Sequence, residues 1–156
     1  MKIIQISPGS GDNFYCENCL RDGWLVHALR HQGHDAVLAP MYLPITQDLQ
    51  PEKKDTEIFF GGINVYLQEH FAVFRRTPRW LDRALDHPRL LRVLARHARS
   101  TRAADLGAMT VSMLAGEEGR QAKELDRLVQ WLAEQERPDA IILSNALLLG
   151  LAPRIK

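Results

Sequence analysis

The sequence predicts an α/β fold, a Rossmann-like parallel sheet flanked by helices, and three observations carry that expectation. The apolar run Ile3, Ile4, Ile6 leads into a glycine-bearing turn, Ser7-Pro8-Gly9-Ser10-Gly11-Asp12-Asn13, and then into an amphipathic stretch beginning near Glu17. That stretch closes at Gly33, and Asp35 to Pro40 follows as a second apolar run, so the opening reads as a β-α-β unit whose short connections demand parallel strands. Far along the chain, Asp139-Ala140-Ile141-Ile142-Leu143 repeats the signature of a buried strand directly after the helix breaker Pro138.

Taken in order, residues 2 to 7 form a strand buried on both faces, because Ile3, Ile4 and Ile6 do not alternate cleanly with polar residues. The helix from Glu17 to Gln32 places Leu20, Trp24, Leu25, Ala28 and Leu29 at helical spacing, with Gly33 as its left-handed cap. After the second strand, Pro40-Met41-Tyr42-Leu43-Pro44 must leave the sheet, since proline cannot donate to an inner ladder. A polar stretch, Gln47 to Thr56, precedes two apolar runs joined by Gly61-Gly62, Glu57 to Phe60 and Ile63 to Leu67, which read as a hairpin. From Thr77 the pattern is helical: Thr77 caps, Pro78 takes the first position, and Trp80, Leu81, Ala84 and Leu85 share a face. Pro88 opens another helix with Leu90, Leu91 and Leu94 inward, and a third carries Leu106, Met109, Met113 and Leu114 and ends near Gly116. A longer helix, Glu117 to Gln135, shows Leu125, Leu128, Val129 and Leu132 as a buried stripe. Beyond the strand at Asp139, Ser144-Asn145 lead into a helical run from Ala146 to Lys156, which no stop signal closes. A doubly wound sheet is expected to continue past it, so the chain reads as the N-terminal part of a longer protein.

The glycine turn is read as the candidate ligand loop, against the alternative of a tight strand-to-helix connection that binds nothing. Residues without Cβ adopt positive φ and let amide N–H groups approach an anion, and the following helix adds its unpaired amides and the positive end of its dipole. Open α/β sheets bind ligands at the carboxyl edge, where this turn and the segment after Pro40 both emerge.

Composition bounds the answer. A chain of 156 residues with 46% hydrophobic content suits one domain, residues 1–156, with a genuine core, and a net charge of +1 gives no overall pull toward nucleic acid. The apolar run Ala140 to Ala152 is interrupted by Ser144 and Asn145 and falls short of a membrane span. The stretch before Pro8 is too brief for a secretory signal, and two cysteines without an export signal point to the reducing cytoplasm.

These residues resemble the N-terminal domains of retaining glycosyltransferases of family four, the glycogen-synthase-like group built as a GT-B pair of facing Rossmann-like domains. The resemblance rests on Met1-Lys2-Ile3-Ile4 before a glycine loop, Leu29 with Gly33-His34-Asp35 at the helix-to-strand corner, and Pro40-Met41-Tyr42-Leu43-Pro44. Phe59-Phe60-Gly61-Gly62-Ile63-Asn64-Val65-Tyr66-Leu67-Gln68 and Asp139 to Ser144 extend it across nearly the whole chain. It implies an acceptor-side domain that closes over a nucleotide-sugar donor gripped by a C-terminal domain, which this sequence does not contain, so the fragment alone is expected to be inactive. It implies further that Gly9, Ser10 and Gly11 bring loop amides near the donor diphosphate, where fixed N–H dipoles stabilise the departing charge. The usual adjacent glycine pair is replaced here by Gly9-Ser10-Gly11. Asp12, Asn13, Glu17, Asn18, Tyr42, Ser144 and Asn145 are candidates for the hydroxyls of a carbohydrate or lipid-linked acceptor, against a competing role of Ser, Asp and Asn as helix caps. No catalytic residue is named, and no metal or cofactor is expected.

Other readings compete. A non-catalytic binding domain could keep the same fold. A nicotinamide dehydrogenase lacks its third glycine, where Phe14 stands, and the acid that should end the second strand, where Leu38-Ala39-Pro40 stands. Cys16-Glu17-Asn18-Cys19 places a C-x-x-C at a helix start after a strand, the setting of thiol oxidoreductases, against the alternative of ordinary thiols packed one turn apart. A structural zinc site would need a second such pair. His27, His31 and His34 have metal-like spacing, but Gly33 ends the helix before His34, so they are expected to diverge.

Arg75, Arg76, Arg79, Arg83, Arg89, Arg92, Arg96, Arg99 and Arg102 gather over two expected helices. A solvated face is one reading. The other is a basic amphipathic patch, led by Arg75, Arg76, Arg79 and Arg83, that touches anionic lipid at the inner membrane face. Nucleic acid is not expected as a partner, since few aromatics interleave with these arginines.

Overall fold

The computed structural model describes residues 1–9, 16–42, 59–60, 62–78, 81 and 103–156. In chain order the elements are β1 (Lys2–Ser7), α1 (Glu17–His31), β2 (Asp35–Pro40), α2 (Gly62–His70), α3 (Ala103–Leu114), α4 (Ala122–Glu134), β3 (Ala140–Leu143) and α5 (Ala152–Ile155). Short 3-10 segments lie at Ala72–Arg76, Gly116–Glu118 and Ala146–Leu151. The three strands form one parallel sheet in the order β2-β1-β3.

As the central strand, β1 is covered on both faces, and Ile3 through Ser7 are all buried. Its residues divide between two apolar clusters. Ile3 joins Val26, Ala36 and Leu38 beneath α1, while Ile4 and Ile6 join Ala39, Met41, Phe59, Phe60 and the α4 stripe Leu125, Leu128 and Leu132 on the opposite face. The sheet is therefore sandwiched, as its unbroken apolar runs require. Gln5 pairs in register with Leu38 and Ile142, both of which belong to the α1-side cluster, so Gln5 and Ser7 face α1 as well.

Several expectations need correction. The α1 face that turns inward carries Cys19, Asp22, Gly23 and Val26, whereas Trp24 is 66% exposed and Leu25 and Ala28 also face outward. Of the expected set Leu29 does pack against the cluster beneath α1 and Leu20 is half-buried, so the expectation fails at Trp24, Leu25 and Ala28. The hairpin around Gly61-Gly62 is not formed: Gly62–His70 is a helix. Its buried residues, Asn64, Val65, Gln68 and Glu69, are spaced for a helical face, and Gln68 donates to Glu124 of α4 at 2.9 Å, a contact far away in sequence that no local pattern announces. The long helix expected from Glu117 starts at Ala122, because a 3-10 turn and Gly119 intervene. The strand at Ala140–Leu143 is half-buried rather than fully buried, and the run from Ala146 divides into a 3-10 segment and the short α5. The helices expected between Thr77 and Arg102 lie almost wholly outside the described residues.

Candidate functional site

After β1 the chain pairs β2 on one side of it and later β3 on the other, so the crevice beyond the carboxyl ends of β1 and β3 is a topological switch point. The strand ends are tied together there. Met41 N donates to Ser7 O at 2.9 Å, Tyr42 N to Pro8 O at 2.8 Å, and Ser144 N to Ile6 O at 3.0 Å. Gly9, the next residue along, has φ of 76°, a conformation that turns the chain out of the sheet and suits glycine. Ser10, Gly11, Asp12 and Asn13 lie outside the described residues.

Helix α1 starts at the same edge. Cys16 is its N-cap, with Sγ accepting the Cys19 N–H at 3.3 Å, and Glu17 and Asn18 occupy the first turn, exposed and half-buried respectively. Cys16 and Cys19 are bonded to each other as a disulfide rather than packed as two separate thiols.

Arg21 is the residue that the sequence reading missed. Its Nη2 donates to Ser144 O at 2.6 Å and to Asp22 Oδ1 at 2.9 Å, which fixes a cation over the end of β3. The Arg21 side chain nonetheless stays 57% exposed, while that of Asp22 is buried. A basic residue on the second turn after a glycine loop was the available signal. Asn145 takes the capping role weighed against acceptor binding, its Oδ1 accepting from Leu147 N at 3.0 Å, and Ser144 is buried with Oγ within 3.4 Å of Arg21. Tyr42 packs against the core, its hydroxyl donating to Met113 Sδ and its ring set edge-on to Phe60. Burial raises the Tyr42 phenol well above its ordinary pKa.

Between β1 and α1, Gln5 Oε1, Ser7 Oγ and Asp22 Oδ2 are buried with no hydrogen-bond partner among the described residues, as are Gln68 Oε1, Glu69 Oε2 and Gln121 Oε1 around α2 and the start of α4. Apolar packing would normally fill such an interface, and unpaired buried polar groups cost stability.

The remaining candidates separate from the edge. Arg75 donates to Gln68 O at 2.8 Å and so closes the end of α2, Arg76 is exposed, and Arg79, Arg83, Arg89, Arg92, Arg96, Arg99 and Arg102 lie outside the described residues. His27 lies between Trp24, which it meets edge-on, and a tilted His31 on the outer face of α1, while His34 lies past the turn at Gly33. Among the described residues no cluster of His, Cys, Asp and Glu suits a metal ion, and no helix is long and apolar enough to cross a membrane. Comparison of the chain with protein-family models, curated proteins and solved structures returns no match.

Proposed function

We propose that the chain is the acceptor-side domain of a retaining glycosyltransferase, the N-terminal half of a GT-B architecture, and that its switch-point crevice receives the diphosphate of a nucleotide-sugar donor. The observation that carries this reading is the convergence at one sheet edge of Gly9 in a positive-φ turn, the N-terminus of α1 and the anchored guanidinium of Arg21. Amides and a fixed cation gain most from an anion whose charge grows during reaction, as a leaving diphosphate's does. A second domain would grip the nucleotide, and a carbohydrate or lipid-linked acceptor would approach from the side of Glu17 and Asn18.

Phe71 and Val73, 53% and 70% exposed, adjoin Arg75 and Arg76, an apolar and basic pairing suited to anionic lipid. This pairing supports a peripheral contact with an anionic membrane, proposed for a cytoplasmic protein at the inner membrane face; vesicle sedimentation that is indifferent to anionic lipid and to salt removes this part.

Calorimetry with inorganic pyrophosphate tests the crevice. Arg21→Ala should weaken binding about tenfold, the equivalent of one charge-assisted hydrogen bond. Pyrophosphate that binds no better than chloride, or equally well to Arg21→Ala, refutes the assignment. Screening nucleotide sugars against the full-length gene product then tests transfer itself.

A further inference from the structure

The disulfide at the start of α1 plays no part in the proposed transfer, and its two sulfurs are unequally placed. Cys19 is 1% exposed and belongs to the inward face of the helix with Asp22, Gly23 and Val26. Cys16, outside the first turn as N-cap, is only half-buried. A bridge between neighbouring turns of one helix closes a short loop and gains little by restricting the unfolded chain, so a purely stabilising role explains it poorly.

We infer that Cys16 and Cys19 form a reversible dithiol–disulfide exchange site in which Cys16 is the reacting sulfur, Cys19 the resolving sulfur, and the co-reactants are thiols and disulfides. Exchange requires an incoming thiolate to approach one sulfur of the bridge with the other as leaving group. Cys19 is almost wholly buried and Cys16 only half-buried, so the approach is assigned to Cys16. With a dithiol reductant, one thiolate attacks Cys16 Sγ, the Cys16–Cys19 bond breaks, and Cys19 leaves with the electron pair and takes up a proton. The reductant's second thiolate then attacks its own sulfur in the mixed disulfide, closing the reductant into a cyclic disulfide and releasing Cys16 as thiolate. Two electrons pass from the dithiol to the cysteine pair. A small disulfide reverses the sequence and is itself reduced to two thiols.

The released Cys16 thiolate lies where the bridge sulfur already accepts the Cys19 amide, at the positive end of the α1 dipole. Cys19 emerges on the face that also carries Asp22, whose Oδ2 has no hydrogen-bond partner among the described residues.

The test uses the whole chain, native by circular dichroism, with dithiothreitol as reductant and glutathione disulfide as oxidant. Dithiothreitol should liberate both thiols without denaturant, and glutathione disulfide should restore the bridge. After reduction, Cys19→Ser should form a glutathione adduct at Cys16 at least ~10-fold faster than Cys16→Ser forms one at Cys19. Should either variant fail to fold, peptide mapping of reduced wild type after limiting iodoacetamide decides the matter, with label expected on Cys16 first. Equal labelling of the two cysteines, or a bridge that dithiothreitol opens only in denaturant, overturns the inference. Neither outcome bears on pyrophosphate binding, so this site and the proposed transfer function stand or fall separately.

Discussion

Asp22 and Glu124 are both fully buried carboxylates, one at the sheet's carboxyl edge and one where α2 meets α4, and they are treated differently by their surroundings. Glu124 is saturated: Oε1 accepts from Gln68 Nε2 at 2.9 Å, and Oε2 from Arg127 at 3.0 Å and Phe60 N at 3.3 Å. Through these bonds it holds Phe60 at φ of 54°, a left-handed conformation costly for an aromatic residue. Asp22 is bonded through Oδ1 alone, to a guanidinium that reaches into solvent, and Oδ2 is left over. A carboxylate with both oxygens engaged by protein donors is a clamp. One kept half-engaged at the sheet's carboxyl edge leaves a buried oxygen without a partner among the described residues, at the expense of stability.

The sharpest way to break this comparison is Glu124→Gln. The amide must turn a donor toward Gln68, or toward Phe60 and Arg127, which are themselves donors, so a loss of about 3 kcal/mol is expected from urea unfolding. A loss within experimental error would show that Glu124 is not the clamp described.

Next in size is Gly150→Ala. A Cβ there would collide with the main-chain oxygens of Met113 and Leu114, in the same well-packed half of the molecule, and rigid backbone cannot yield as a side-chain end can. About 2 kcal/mol of destabilisation is expected, read as a lowered thermal midpoint.

Tyr42 links the two regions, since it starts at the crevice and packs into the core. Its folded pKa is raised above the ordinary 10.0, so the native state retains a proton that the unfolded chain gives up. The associated stability is complete below that value and declines as pH rises beyond it. Urea midpoints measured between about pH 9 and pH 11 should therefore fall in wild type and fall less in Tyr42→Phe.

The smallest effect is expected from Asp22→Asn, which keeps an acceptor for Arg21 and places its new donor where no donor opposes it. Stability should remain within about 1 kcal/mol of wild type. A cost equal to that of Glu124→Gln would erase the distinction between clamp and open edge.

How much was legible in the chain varies with the range of the interactions involved. Ile3, Ile4 and Ile6, the glycine turn and the cap at Gly33 specify β1, α1 and β2 through neighbours in sequence, and all three stand where expected. Ile63 to Leu67 alternates as a strand would, yet Gln68 and Glu69 are held by Glu124 and Arg120, and those distant partners favour a helix. At the edge, Gly9 was visible as a loop glycine. Arg21 was visible only as a basic residue on the second helical turn; its significance depends on Ser144, which β3 delivers from the other end of the chain.

By itself, then, the sequence determined the β-α-β opening, the class of fold and the point where the chain leaves the sheet, since backbone preference and apolar periodicity are properties of short segments. Tertiary structure alone decided which side of α1 faces inward, that Gly62–His70 is helical, and that Arg21, Asp22, Ser7 and Ser144 share one edge. Those outcomes depend on pairing between residues far apart in the chain, and a buried polar atom reveals its missing partner only after the strands and helices have closed around it.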